Sequence, residues 1–183
     1  MGRREELLDR VTDHVLSDGL IGLTLRPLAA AVGTSDRMLL YHFGSRDALV
    51  SAVVAESTAR AARVVGALPP AASVRDAVNR LWETYRQEPL RSCLTLYVQA
   101  AASGLIGEEP YRSDARTSNQ QWAAVLGDHL VASGAPAERV GRLVTLVDSA
   151  LYGFHLTLIT DRPEELAQGV DDLAVAAEAL ATS

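Results

Sequence analysis

Lysine is missing from this chain: its 17 basic residues are all arginine, and 23 acids outnumber them to leave a formal charge of −6 over 183 residues. A protein that coats nucleic acid without regard to sequence carries the opposite balance, so any contact with DNA must be local. Even residues 1–50 are close to neutral, with Arg3, Arg4, Arg10, Arg26, Arg37 and Arg46 set against seven acids. Cysteine is reduced to Cys93, which has no partner for an intrachain disulfide and whose apolar neighbours suit a small buried hydrophobe. The four histidines, His14, His42, His129 and His155, are scattered. No HExxH spacing, nucleophile–base pair or glycine-rich phosphate loop accompanies them, so neither catalysis nor a metal or cofactor is expected. Uninterrupted apolar runs of about 18 residues are lacking as well, and Met1-Gly2-Arg3-Arg4-Glu5-Glu6 opens without an apolar stretch. No membrane span or signal peptide is therefore expected, and the chain is assigned to the cytoplasm.

What the sequence does have is hydrophobic content, at 48%, arranged almost throughout at helical spacing. No segment alternates as a strand would, and the pattern predicts an all-α fold of nine helices. The first runs from Arg3 to about Ser17 and turns Leu7, Leu8, Val11, Val15 and Leu16 to one side, with Asp18-Gly19 closing it. A second follows Thr24, whose hydroxyl can cap it; Gly33-Thr34 breaks it, and Ser35 can cap a third that reaches about His42. A long helix from Ser45 to about Val65 leads to the joint Gly66-Ala67-Leu68-Pro69-Pro70. Ser73 with Asp76 resembles a capping box for the next helix, which Pro89 stops. Helices over Leu90–Leu105, from Tyr111 to near Gly134, from Pro136 to about Thr160 and from Pro163 to about Ala181 complete the series. The last has Glu164 and Glu165 in its first turn, where negative charge suits the helix dipole.

The informative stretch is Thr24 to Leu49, TLRPLAAAVGTSDRMLLYHFGSRDAL, two short helices about a glycine turn. A helix is about 10–12 Å wide and the major groove of B-DNA about 12 Å, so the second helix of such a pair can offer its N-terminal side chains to base edges. Backbone amides at the helix starts can hold phosphates without any excess of basic side chains.

This stretch resembles the helix-turn-helix domain of the TetR family of bacterial transcriptional repressors. The resemblance rests on Thr24, Leu28-Ala29, Gly33, the run Leu39-Leu40-Tyr41-His42-Phe43, and Arg46-Asp47 followed by Leu49. Two positions depart from the family pattern: Val32 replaces the usual alanine before the turn glycine, and Leu40 replaces a common tyrosine, removing one phosphate-contacting hydroxyl. The resemblance implies that Thr34, Ser35, Asp36, Arg37 and Met38 face the groove, with Arg37 reading a guanine edge. It places Thr24, Arg26, Tyr41, His42 and Arg46 on phosphates. Asp36 would repel phosphates unless it accepts from a cytosine amine or orients Arg37.

The resemblance covers about residues 3–50, and a DNA-binding domain at 1–48 is expected ahead of a regulatory and dimerisation domain at 49–183. In the family the last two long helices form the homodimer interface, which here implies Val140, Val144, Val147, Leu151, Leu166 and Leu173, with the small residues Ser149, Ala150 and Gly153 allowing close approach. A two-fold dimer implies a roughly palindromic double-stranded operator. An effector pocket is expected among Trp82, Tyr85, Tyr97, Trp122, Tyr152, Phe154 and His155, and the scarcity of charge among them points to a largely apolar or aromatic small molecule. The rival expectation is a helical ligand-binding or interaction protein without operator binding.

Overall fold

The computed structural model describes residues 2–183. Among them it has nine α-helices and no strand: α1 (Arg3–Asp18), α2 (Leu25–Ala31), α3 (Asp36–Phe43), α4 (Arg46–Gly66), α5 (Val74–Tyr85), α6 (Leu90–Leu105), α7 (Tyr111–Ala132), α8 (Val140–Thr157) and α9 (Pro163–Thr182). Two local expectations are corrected. Thr24 occupies the extended N-cap position of α2, but its hydroxyl makes no capping bond. Pro136 does not open α8: the chain first makes tight three-residue turns, Arg139 N–H to Pro136 C=O at 3.0 Å and Val140 N–H to Ala137 C=O at 3.4 Å, and the α-helix begins only at Val140. Ser73 does cap α5, its Oγ accepting from the Asp76 N–H at 3.0 Å.

The chain folds as two compact units, one of residues up to Ala61 with Arg91–Gln120, the other of Ala62–Leu90 with Gln121–Ser183. The sequence motif ends near residue 48, yet the unit that contains it is larger, because the helix-turn-helix shares its core with parts of α4, α6 and α7. Leu7, Val11 and Val15 of α1 meet Leu28 and Ala29 of α2, Leu39 and Phe43 of α3, Leu49, Val50 and Val53 of α4, and Leu96 and Ala100 of α6 in one buried cluster. Polar ties supplement it. The Arg60 guanidinium reaches Asp9 at 3.2 Å and Glu56 at 3.1 Å and also pairs with Asp13, joining α4 to α1. The Ser51 hydroxyl donates to Asp114 at 2.8 Å, joining α4 to α7.

In the second unit α9 packs against both α5 and α8. Its buried positions Leu166, Val170, Leu173, Ala174 and Ala177 recur at helical spacing, and α5 answers with Val74, Ala77, Val78, Leu81 and Tyr85. Cys93, as expected, is buried.

Among the glycines of the first unit, Gly104 has the closest backbone neighbour. A Cβ built there would lie 2.9 Å from Arg112 Cα and 3.1 Å from Arg112 N, backbone atoms that cannot rotate aside. Gly104→Ala is expected to lower unfolding free energy by about 1–3 kcal/mol, the usual cost of overpacking. Urea denaturation checks it; a midpoint equal to that of the parent would show that α6 and α7 separate freely.

Candidate nucleic-acid interface

The turn between α2 and α3 is built by the backbone. Val32 N–H bonds to Leu28 C=O at 3.0 Å, Gly33 N–H to Ala30 C=O at 3.2 Å and Thr34 N–H to Ala29 C=O at 2.8 Å. Gly33 sits at φ +68°, a left-handed conformation that glycine adopts without steric cost, and this reverses the chain after α2. Ser35 then starts α3, its Oγ accepting from Met38 N–H at 3.2 Å.

Helix α3 has two faces. Leu39 and Phe43 are buried one turn apart, and Arg4 holds the C-terminal end: its guanidinium lies 5.0 Å over the Phe43 ring and its Nε donates to His42 C=O at 3.2 Å. Ser35, Asp36 and Arg37 are exposed on the opposite side, with Tyr41 at 78% exposure and Leu40 at 41%. Thr34, Met38 and His42 are half-buried at the margins. Asp36 turns back on its own helix, Oδ1 accepting from Arg37 N–H at 2.9 Å, which directs its charge to the helix N-terminus. The guanidiniums of Arg26 and Arg37 make no ion pair among the described residues. Thr24 and Arg26 are exposed at the start of α2.

Arg46, expected on a phosphate, also has partners within the chain. Its Nε donates to Leu23 C=O at 3.2 Å, one terminal nitrogen approaches Asp47 at 3.4 Å and the other the Tyr111 hydroxyl at 3.4 Å. Sequence spacing alone could not show this, because Tyr111 is 65 positions away; Arg46 braces the start of α4 while its side chain stays 39% exposed. Gln99 of α6 is a second brace that sequence reasoning missed. Its Oε1 accepts from Leu20 N–H at 2.6 Å and Ile21 N–H at 3.3 Å, tying the loop after α1 to α6.

Of the aromatic residues expected to line an effector pocket, all but Tyr97 belong to the second unit. Tyr97 lies in the first unit, on an open groove with Arg112 and Arg116. Tyr85 and Trp122 are buried in the second, rings 5.8 Å apart, while Trp82 meets Phe154 edge-on at 5.9 Å; Tyr152 and His155 are half-buried on α8. The residue that reasoning from aromatics overlooked is Asp148, 8% exposed, whose Oδ1 accepts from Trp122 Nε1 at 2.7 Å. The Tyr85 hydroxyl is fully buried without a hydrogen-bond partner, and burial together with the Asp148 charge pushes its pKa well up.

On α8 and α9, Val147, Leu151, Leu166 and Leu173 are buried within the single chain and fill the second unit's own core; Val140 and Val144 are half-buried. The large apolar side chains left exposed there are Leu146, Leu156 and Val175, with Ile159 just beyond α8.

No family model and no curated protein matches this chain. Solved structures do. A Rhodococcus sp. protein assigned to the TetR family of transcriptional regulators is 22% identical with a TM-score of 0.68, each chain covered to 99%. GusR of Salmonella enterica is 17% identical with a TM-score of 0.71, over 98% of this chain and 95% of that one. The multidrug binding protein EbrR, complexed with proflavin, is 24% identical with a TM-score of 0.69, over 95% of this chain and 99% of that one. The all-helical fold of such regulators therefore extends over the whole chain, well past the stretch whose sequence resembles them.

Burial raises the Asp148 carboxyl from near 3.8 to about 6, against the opposing hydrogen bond from Trp122. Below about pH 4 the group is protonated folded or unfolded; above pH 6 the folded state holds a buried charge that the unfolded chain hydrates, so its contribution to stability falls through that window by roughly 3 kcal/mol. Asp148→Asn keeps an acceptor for Trp122 and should remove this loss. Thermal melts at pH 4.5 and 7 are expected to show the variant gaining on the parent at the higher pH; an unchanged difference between the two would mean the carboxylate stays hydrated.

Proposed function

We propose that this protein is a ligand-responsive transcriptional regulator, acting in the cytoplasm as a repressor that a small molecule releases from a palindromic operator. The observation that carries this reading is the two-faced α3: Leu39 and Phe43 fix its inner edge, while its first turn and an unpaired Arg37 stay open to solvent. The likeness of the whole chain to TetR-family structures supports it. Effector binding finds support in EbrR, solved with proflavin and with ethidium. Among the described residues, no helix is long and apolar enough to cross a membrane.

In this reading Arg37 meets a guanine edge, with Thr34, Ser35 and Met38 beside it, and Thr24, Arg26, Tyr41 and His42 hold phosphates together with the amides at the starts of α2 and α3. Asp36 orders the first turn of α3. Arg46 positions that surface from behind.

Two copies are needed to read a two-fold site. The proposed contact is the outward side of α8 and α9, where Leu146, Leu156 and Val175 are exposed. Gly141 and Gly153 share it: a Cβ at either would meet nothing within 4 Å in the single chain, so packing within this chain does not demand glycine there. A second helix approaching closely would.

Anisotropy titration against duplexes from the protein's own upstream region, at two salt concentrations, tests the operator. Arg37→Ala is expected to cost about 1–3 kcal/mol on the specific duplex while leaving weak binding to unrelated DNA nearly unchanged. Equal affinity of variant and parent would remove α3 from the contact, and the absence of any sequence preference would favour the rival, a ligand-binding protein without an operator. Leu156→Glu should give a monomer by sedimentation with the fold retained, and with it weaker operator binding; a persisting dimer would place the interface elsewhere.

A further inference from the structure

Where α5 ends beside the α8–α9 loop, the second unit contains a cavity of about 220 Å³ lined by Trp82, Arg86, Leu158, Asp161, Pro163 and Leu166. None of the expected effector residues except Trp82 belongs to it. Its size is above the roughly 150 Å³ that accepts benzene and below the roughly 300–1,000 Å³ of sites for drug-sized ligands, which suits one ring or branched group with a few polar atoms.

The wall is held rigid. Trp82 packs edge-on against Phe154, and Phe154 is wedged in turn against Gly169, where even a Cβ would come within 2.9 Å of its ring. The polar part of the lining holds one charge of each sign, yet Arg86 and Asp161 make no ion pair with each other or with any other described group. Asp161 accepts only from the Thr160 hydroxyl at 3.1 Å. The neighbouring cation, Arg162, is committed to Glu165, with Nε–Oε1 at 3.0 Å. A cavity that presents an unpaired guanidinium, an unpaired carboxylate and an indole complements a molecule carrying the opposite pair of charges and one apolar group.

We infer that this cavity binds a small zwitterion of the amino-acid class, its carboxylate on Arg86, its ammonium on Asp161 and its apolar side group against Trp82 and Leu166. As a binding site it stands independently; as an effector site it rests on the operator reading above.

Calorimetric titration of the full chain with L-phenylalanine, 3-phenylpropanoate and 2-phenylethylamine tests it. L-Phenylalanine is expected to bind at least about tenfold more tightly than either singly charged analogue, since each lacks one of the two charge contacts. Arg86→Gln should remove that advantage over 2-phenylethylamine, and Asp161→Asn the advantage over 3-phenylpropanoate. Both positions are exposed, and unchanged melting curves confirm that the variants fold. Equal binding of all three probes, no binding of L-phenylalanine at millimolar concentration, or full affinity in both variants would overturn the assignment. Because the titration contains no DNA, such a failure leaves the operator reading intact; conversely, binding without any effect on operator affinity would keep the site and remove its regulatory role.

Discussion

Burial of Leu39 and Phe43 on one side of an eight-residue helix is the constraint on which the proposed function depends. A helix of two turns is marginal by itself, and side-chain packing rather than propensity must hold it in place. Here the inner edge of α3 is fixed against Leu28 and Ala29, and Arg4 clamps its C-terminal end through both the Phe43 ring and the His42 carbonyl. The outer edge is then presented in one orientation. That matters because a recognition contact tolerates errors of only about 0.5 Å and 10–20°. Direct hydrogen bonds to base edges have no slack for a helix that rolls.

In the proposed regulator, the same packing would give the motif a physical route to regulation. Leu96 and Ala100 of α6 belong to the core that holds the helix-turn-helix, and Gln99 between them takes the backbone N–H groups of Leu20 and Ile21. Arg46 binds Leu23 C=O, and Ser51 binds Asp114. The helix-turn-helix segment is thus fastened to α6 and α7 as well as to its neighbours in sequence. A ligand that favours another position of α6 must carry the loop after α1 with it or break those bonds. Either way, ligand and DNA would compete through one equilibrium, with reciprocal effects on each other's affinity.

The elements of this fold were largely legible in the sequence because each helix declares itself locally. Ser35 and Ser73 act as caps, Gly33 as a turn, and the apolar spacing of α1, α5 and α9 marks their buried faces. Thr24 shows the limit: it has the right residue type and backbone for a cap, yet its hydroxyl is turned elsewhere. What the sequence could not show was pairing at a distance. The bonds of Arg46 to Leu23 and Tyr111 have no sequence signal, and Val147 and Leu151, expected at an interface, are buried within the single chain. Asp148 gave no signal, since a lone aspartate within an apolar helix has no motif; its burial and its bond to Trp122 show that it is inside.

Overall charge was a poor guide to the interface for a related reason. Several acids of the first unit have partners that a simple count does not show. Asp9, Asp13 and Glu56 converge on Arg60, Asp47 lies against Arg46, and Asp36 bonds to the backbone of its own helix. Arg60 thus offsets one of the three charges that converge on it and Arg46 offsets that of Asp47, whereas Arg26 and Arg37 have no ion-pair partner among the described residues. At physiological salt, fields beyond about 8 Å are screened, so it is this short-range arrangement and not the net −6 that an approaching duplex would meet. If, as proposed, Arg37 makes the base contact and the helix termini make phosphate contacts that add no net charge, an acidic protein with few free cations should bind non-specific DNA weakly while keeping its discrimination.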